Sequence, residues 1–433
     1  MNTFILSRIQ FAANISFHIL FPTISIALCW FLLFFKIKHT KTQDQKWFDL
    51  YMFWVKIFAL TFTLGVISGV TMSFQFGTNW PKFMEVAGNI AGPILGYEVM
   101  TAFFIEAIFL GVMLFGYKKV PEWFHTLATF VVAFGTTLSA FWIISLNSWM
   151  QTPAGYEIKD GIMHATNWFE IIFNPSMPYR FAHVIAASFL TSAFLIAGVS
   201  SFKILKNPNS ETGKTGLKAA ITVAAIVAPL QLFIGDNHGL NTLEHQPQKV
   251  AAMEGLWETK KNVPLLLFAL PSDKEQKNNF EIGIPSLTSM ILTHKWDGEL
   301  KGLKDFEHRP SAAPVFFSFR VMVGSGMLMI ALALYSFFQL RRKKTLQEWN
   351  LRALVGTTFI GWVATIAGWY VTEIGRQPYI ISGVLKTKDA VTTVPSENVG
   401  FTLAAYLIIY AVLLFLYIQT IFVIAKKQAQ QAI

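Results

Sequence analysis

Apolar stretches about as long as a membrane-crossing helix recur along the chain. A bilayer core of about 30 Å requires about 20 helical residues. Nine such stretches occur, near residues 13–35, 55–76, 93–116, 124–148, 180–202, 217–235, 314–340, 353–372 and 400–424. The pattern predicts an all-α polytopic membrane protein with nine transmembrane helices. It divides the chain into helices 1–6 (1–235), one long connection (236–313) and helices 7–9 (314–433).

The composition agrees with this prediction and excludes other classes of protein. Of 433 residues, 53% are hydrophobic and 14% charged, where a soluble protein carries roughly 25% charged residues. A net charge of +10 would suggest a nucleic-acid partner in a soluble protein. Here the basic residues lie in short loops, so membrane topology accounts for them and we expect no nucleic-acid partner. The one cysteine, Cys29, excludes a disulfide or CxxC site within the chain.

Basic residues are concentrated in every second connection between the predicted helices. The positive-inside rule therefore places the N-terminus outside, the C-terminus in the cytoplasm and the long connection outside. The start of the chain lacks a basic region and a small-residue cleavage site, so we expect no removable signal peptide. The basic set is Lys36, Lys38, Lys41, Lys46, Lys118, Lys119, Lys203, Lys206, Lys214, Lys218, Arg341, Arg342, Lys343, Lys344, Arg352, Lys426 and Lys427.

A few polar and sulfur-bearing side chains fall within the predicted helices at one common depth. An ionisable group at bilayer depth costs about 2.5–3.5 kcal/mol on insertion scales, so each needs a partner. In the predicted orientation six residues from five helices share the outer third of the membrane, and Glu106 lies about 12 Å deeper than Glu98. A common level favours one buried cofactor layer over unrelated packing contacts. The six residues are His18, Glu98, His183, Arg320, Met322 and Glu373.

The residue types in this layer suit haem better than zinc. Zinc prefers closed tetrahedral ligation, which gives it little reason to lie in a membrane. Haem needs a wide apolar pocket, an imidazole or thioether for its iron, and Arg or Trp near its propionates. One His with one Met fills both axial positions and gives an electron-transfer haem. A carboxylate or a single axial ligand leaves room for oxygen.

Seven motifs along nearly the whole chain resemble those of one family. They are LSRIQFA…FHILFP (6–22), GYEVMTAFFIEAIFLG (96–111), SAFWIISLNSWMQTPAG (139–155), RFAHVIAA (180–187), GDNHG…QPQKVAAMEGLWET (235–259), SFRVMVGSG (318–326) and GWYVTEIGRQPY (368–379). In order and spacing the chain resembles subunit I of the cytochrome bd family of quinol oxidases. The outer connection lacks a long insertion, which is similar to the family's short-loop branch.

The resemblance implies three haems. His183 and Met322 match the axial pair of a low-spin haem b that receives electrons from quinol. His18 and Glu373 match the ligands of a high-spin haem b and of a haem d (or a third haem b) that binds oxygen, in an order left open here. Glu98 matches the carboxylate beside that pair.

The resemblance also implies roles for seven further residues. Lys249 and Glu254 match positions linked with quinol, and five-residue helical spacing predicts that they flank a ring rather than form an ion pair. The remaining matches are Arg320 and Trp369 near a haem edge, Arg376 at the water edge beside a haem propionate, and Glu106 and Ser139 on a polar route from the cytoplasm.

The implied activity is quinol oxidation at the outer face and reduction of O2 to water with protons taken from the cytoplasm. Partners would be membrane quinol, O2, a second membrane subunit (subunit II) and small accessory peptides, in a bacterial or archaeal cytoplasmic membrane. Two alternatives stay open. A b-type haem subunit of a quinol dehydrogenase would leave Glu373 unexplained, and a proton-coupled transporter using Glu98 and Glu106 would need no His/Met pair.

Overall fold

A computed structural model describes residues 2–431 of the chain. Within that range nine helical segments are long and apolar enough to cross a membrane, which confirms the predicted number of transmembrane helices. We number them spans 1–9: Thr3–Thr42, Gln45–Thr78, Pro81–Phe115, Glu122–Gln151, Met177–Lys206, Glu211–His245, Ala312–Lys343, Glu348–Ile374 and Ser396–Gln430.

Three spans are interrupted, and two interruptions lie beside candidate site residues. Span 1 breaks after His18, and its second half begins at Pro22, whose ring favours a first helical turn. Span 3 contains a π-helical turn directly after Glu98. The helical pieces are Thr3–His18 and Pro22–Thr42; Pro81–Glu98, Val99–Phe103 (π) and Phe104–Phe115; and Glu348–Gly356 and Ile360–Ile374.

Three of the four connections at one end of the bundle are long and structured, whereas the fourth, 79–80, and those at the other end are short. The long ones are 152–176, 246–311 and 375–395, and we call the end that they cover the capped end. They contain the helices Trp168–Ile172, Pro247–Glu254 and Leu287–Thr293. Their antiparallel strand pairs are Tyr156–Lys159 with Ile162–Ala165, Leu265–Ser272 with Lys277–Ile284, and Tyr379–Ile381 with Leu385–Lys386.

Span 6 is longer than its apolar stretch indicates. The hydropathy pattern ends it near residue 235, but the helix continues to His245. Polar residues 235–245 are compatible with a helix that leaves the hydrocarbon, and the next proline, Pro247, begins a new helix. The connection between spans 6 and 7 is therefore 246–311 rather than 236–313.

The interior is one apolar cluster to which most spans contribute, and span 5 is the most enclosed after span 1. Spans 3, 7 and 9 by contrast expose large apolar side chains, for example Met100, Met327 and Phe401. Exposed apolar surface of this extent on membrane-length helices is suited to lipid or to another membrane chain. The bundle thus has a polar-capped end, a packed centre and apolar flanks.

Candidate functional site

His183 and Met322 each face a glycine of the neighbouring span. His183 lies in the second turn of span 5, and its Cε1 is 3.5 Å from the place that a Cβ would take on Gly235. Its Nδ1 is buried and has no hydrogen-bond partner among the described residues. Met322 Sδ is 3.1 Å from the Cβ position of Gly368 in span 8. Both side chains therefore point between helices. A Cβ on Gly368 would crowd Met322, whereas a Cβ on Gly235 would be in ordinary contact with His183.

His18 occupies a similar place between spans 1 and 2. Its Cε1 is 3.1 Å from the Cβ position of Gly69, and its Nδ1 is 3.0 Å from Ser68 Oγ. The Ser68 hydroxyl donates to the carbonyl of Leu64 at 2.7 Å, so it accepts from His18 Nδ1–H. This hydrogen bond sets the tautomer in which Nε2 keeps its lone pair, as a metal-bound imidazole requires.

The glycine neighbours were missed in the sequence analysis, although two of the three lie inside the quoted motifs. Gly235 begins GDNHG and Gly368 begins GWYVTEIGRQPY. A motif reading treats such glycines as turn residues, but both lie within helices and serve close approach.

Glu98 and Glu106 both approach span 4. Ser139 Oγ donates to Glu98 at 2.6 Å, and Glu106 packs its Cγ against Gly135, 2.8 Å from that residue's Cβ position. Contact points four residues apart on a helix lie about 6 Å apart. The π turn after Glu98 contributes an extra residue between the two acids, and π turns are frequent at functional sites. Ser139 was grouped with Glu106 in the sequence analysis, whereas its hydrogen bond is to Glu98.

Glu373 is held by two side chains of span 4 and by Arg376. Asn147 donates to its carboxylate at 2.9 Å and Gln151 at 3.5 Å. Arg376 forms an ion pair with it. Arg376 is only 8% exposed, and its position beside a haem propionate at the water edge stays a prediction. Gly375 lies against the aliphatic part of Lys249, so the helix 247–254 covers the end of span 8.

Lys249 belongs to the same cluster. Its Nζ donates to Gln151 Oε1 and to Gln246 Oε1, both at 2.7 Å. Arg180, the first residue of the RFAHVIAA motif, also donates to Gln246, at 3.4 Å. Burial, reinforced by the charge of Arg180, holds the pKa of Lys249 well below the ordinary lysine value. Arg180 was not predicted as a site residue, because it lies at the edge of an apolar stretch.

This cluster contains more positive than negative charge. The guanidinium groups of Arg180 and Arg376 are both buried, and Glu373 is the one acid beside them. Arg180 Nε and Arg376 Nε and Nη1 are buried and lack hydrogen-bond partners among the described residues. Buried charges are normally paired. The cluster is therefore a site for an anion.

Arg320 and Glu254 form a second buried ion pair, at 3.1 Å. Arg320 also donates to the carbonyls of Leu266 and Met253, and Thr288 donates to Glu254 at 3.2 Å. The partner that the intramembrane arginine needs is thus a residue of the 246–311 connection. Its donors are directed to that connection, where the sequence analysis expected a haem edge.

Lys249 and Glu254 lie on one short helix, as expected, but serve different groups. Both are buried, and they form no ion pair with each other. A cavity of about 300 Å³ adjoins Glu254 and is lined by Leu243, Pro247, Val250, Ala251, Leu256, Thr293, Glu299, Leu300 and Lys301. Lys249 is not in this lining, so the structure does not place the two residues around one cavity.

Trp369 is half-buried on span 8.

Within residues 2–431, nine membrane spans enclose imidazole, thioether and carboxylate groups. A cluster suited to an anion lies beside the Glu373 carboxylate. These features define a membrane protein whose interior suits haem. The chain matches the family described as cytochrome bd terminal oxidase subunit I over residues 6–429. It therefore belongs to that family, and the expected class of enzyme, a respiratory terminal oxidase, is confirmed.

Individual relatives agree with this assignment. Cytochrome bd ubiquinol oxidase subunit 1 of Bacillus subtilis is 35% identical, with 99% of this chain and 95% of the relative covered. Cytochrome bd-II ubiquinol oxidase subunit 1 of Escherichia coli is 31% identical, covering 94% of this chain and 93% of the relative. The solved bd oxidase of Geobacillus thermodenitrificans superposes with a TM-score of 0.91 at 30% identity, covering 98% of this chain and 99% of that chain.

The family implies haem, and the residues present fit it. The orphaned guanidinium nitrogens of Arg180 and Arg376 are suited to carboxylate groups such as haem propionates. The free Nε2 of His18 and the thioether of Met322 are suited to iron. Family membership also favours an oxidase over the electron-transfer and transporter alternatives.

Proposed function

We propose that this chain carries the haems of an oxidase that accepts electrons from membrane quinol at the outer face and reduces O2 to water. The observation that carries the proposal is the buried cluster in which the guanidinium groups of Arg180 and Arg376 lie with the single acid Glu373. A purely structural core has no need for two buried guanidinium groups with unpartnered nitrogens, since each buried charge costs free energy unless it is paired. Carboxylate-bearing haem supplies the missing negative charge.

Each candidate ligand then has one role. His183 and Met322 hold a low-spin haem b, and His18 and Glu373 hold a high-spin haem b and a haem d, or a third haem b. When bound, haem supplies one-electron transfer and an iron at which oxygen binds. Glu98 stands beside the oxygen-reacting pair, oriented by Ser139. Trp369, on the same helix as Glu373, lies along the haem edge.

The quinol side is formed by the capped end. Glu254 accepts a proton from quinol, because it is a carboxylate that adjoins a cavity and is fixed by Arg320 and Thr288. Arg320 fixes the position of the Glu254 carboxylate through their ion pair. Lys249 acts on the other cluster, where it donates to Gln151, which in turn donates to Glu373. Glu254 thus acts on quinol, and Lys249 acts on the cluster around Glu373, so the two residues do not flank one quinol ring.

Protons for oxygen reduction come from the opposite end. Glu106 is buried beside Gly135, and one of its oxygens, Oε1, lacks a partner among the described residues. It can receive a proton from the cytoplasm and pass it toward Ser139 and Glu98, one helical turn away along span 4. Protons released outside and taken up inside charge the membrane without a pump.

This scheme requires the capped end to face outward, with the N-terminus outside and the C-terminus in the cytoplasm. The distribution of lysine and arginine supports that orientation. The chain lies in the cytoplasmic membrane of a bacterium or archaeon. The apolar flanks of spans 3 and 9 bind a second subunit and small accessory peptides, which cover the haems from lipid.

Replacing Glu106 by Gln tests the proton route. The amide keeps the shape but cannot carry the proton, so we expect oxygen reduction to slow about 100-fold. Haem content and quinol affinity should stay at wild-type values, because Glu106 lies away from both. Oxygen uptake and haem spectra of the purified complex measure this. Glu85→Gln, an exposed residue of the same span, is the control, and wild-type turnover in Glu106→Gln would place the route elsewhere.

Replacing Gly368 by Ala tests the ligand role of Met322. The added Cβ would lie 3.1 Å from Met322 Sδ, closer than ordinary contact, so the sulfur must move. We expect the sharp reduced α-band of the low-spin haem to weaken or shift while total haem is retained. Gly324→Ala, on span 7 with open space at its Cβ, controls for the gain in helix propensity. Identical spectra for both variants would remove Met322 from the iron.

A further inference from the structure

The strand pair Leu265–Ser272 and Lys277–Ile284 has one face against span 7 and one apolar face that no other part of the described chain covers. Leu266 and Ala269 are buried with Phe316 of span 7, and the rings of Phe268 and Phe317 are 6.5 Å apart. The uncovered side chains are Leu267 at 56% exposure, Phe268 at 44%, Leu270 at 40%, Phe280 at 79%, Ile282 at 63% and Ile284 at 44%. We call this pair the apolar hairpin.

The hairpin is fixed along the first turns of span 7 at two points. At its turn, Asp273 accepts from the backbone N–H of Ala312 at 2.9 Å and from Ser311, which caps the helix. Near its base, the carbonyl of Leu266 accepts from Arg320 at 2.8 Å. Ala312 and Arg320 are about 12 Å apart along the helix axis. The hairpin therefore descends beside span 7 from its end toward the membrane.

At the base of the hairpin its apolar face is continuous with lipid-facing surface. Phe317 and Val321 of span 7 are exposed at the same level, and Phe268 with its cross-strand partner Ile282 lies beside them. Four of the five charged residues of the hairpin lie at or beside its turn, in the sequence SDKEQK. The fifth, Glu281, lies on the second strand and accepts from Asn278 at 2.8 Å. This division is typical of a segment with one end in water and one at hydrocarbon.

We propose that the apolar hairpin is seated in the bilayer, at the boundary between headgroups and acyl chains of the leaflet at the capped end. A patch of six large apolar side chains on a water-facing loop would be unfavourable, whereas burial at this boundary stabilises it. The free backbone groups along the strand edges exclude deeper insertion, because hydrocarbon cannot satisfy them.

The position of the apolar hairpin in the bilayer affects the proposed quinol site. This consequence rests on the proposed function. Thr288 donates to Glu254 and, at 3.1 Å, to the carbonyl of Pro264 just before the hairpin. Arg320 likewise joins Glu254 to Leu266. A hairpin held by lipid therefore holds Glu254 at the level where a membrane-dissolved quinol arrives.

The depth of the apolar hairpin in the bilayer is measured on the assembled oxidase in nanodiscs. A bimane fluorophore is attached to Phe280→Cys, Ile282→Cys or Lys274→Cys. The chain's own Cys29 is buried, and the complex without an added cysteine gives the background. We expect lipids with brominated acyl chains to quench the labels at 280 and 282 strongly and the label at 274, in the polar turn, weakly. Iodide in water should show the opposite order.

Two results would overturn the seating. Quenching of the 280 and 282 labels by iodide but not by brominated lipid would place the face in water. Protection from both quenchers would mean that a protein partner covers it.

Steady-state kinetics test separately whether the hairpin positions Glu254 for quinol. In the double variant Phe280→Asp and Ile282→Asp, we expect KM for a decyl-substituted benzoquinol to rise about tenfold, with kcat and haem spectra unchanged, as loss of uniform binding predicts. Lys274→Asp places a similar charge on the turn and is the control. An unchanged KM together with strong quenching by brominated lipid would overturn the link to quinol and support the seating.

Discussion

Replacing Met322 by Leu is expected to convert one low-spin haem to a high-spin form and to suppress quinol-driven oxygen uptake. The substitution conserves volume and costs less than about 1.5 kcal/mol in a packed core, so the bundle should persist. It removes the sulfur that faces the Gly368 position. A thioether raises the potential of a haem, so its loss makes reduction by quinol less favourable.

Losing a residue that only supports a metal ligand lowers activity roughly 10–100-fold. Met322 is proposed as a direct ligand, so we expect turnover to fall at least that much. Met327→Leu makes the same chemical change five residues further along span 7, on an exposed side chain, and should leave spectra and turnover at wild-type values. The reduced α-band and oxygen uptake are measured on the same preparation. An unchanged band in Met322→Leu would remove the residue from the iron.

The second large effect is expected at Glu254. Glu254→Gln keeps an oxygen for Arg320 and Thr288 but cannot accept a proton, so quinol oxidation should fall about 100- to 10,000-fold. An artificial reductant that delivers electrons directly to the haems should still support oxygen uptake, because no haem ligand is changed. Glu254→Ala should be worse, since it also leaves the largely buried Arg320 without its ion-pair partner.

The control for this experiment is Glu258→Gln, an exposed acid four residues further along the chain that pairs with Lys304 at the surface. It should behave as wild type with both electron donors. Equal loss of activity with quinol and with the artificial reductant in Glu254→Gln would mean that the damage lies at the haems. In that case Glu254 would not belong to the quinol site.

Hydrophobic patterning was sufficient for the nine spans, because hydrocarbon demands a helix wherever about 20 apolar residues follow one another. It was insufficient for their ends. The extension of span 6 to His245 is polar, so it carries no hydropathy signal. The break after His18 and the π turn after Glu98 are also invisible to a hydropathy window, although both shape the site.

The chemistry-bearing residues could be named from their types and motifs, but their pairing could not. Arg320 and Glu254 are 66 positions apart in the chain, and Lys249 lies 98 positions from Gln151. Such contacts depend on how the 246–311 connection folds back over the bundle. Arg180 was missed for a related reason, because its burial comes from that cap rather than from its own apolar stretch.

The central claim is that this chain holds one low-spin haem for electron transfer together with haem iron that is open to oxygen. Reduced-minus-oxidised spectra of the purified assembled oxidase, recorded with and without carbon monoxide, test it most directly. We expect a sharp low-spin α-band that carbon monoxide leaves unchanged, together with high-spin haem bands that carbon monoxide shifts. Haem bands that are all insensitive to carbon monoxide, or a colourless protein, would contradict it.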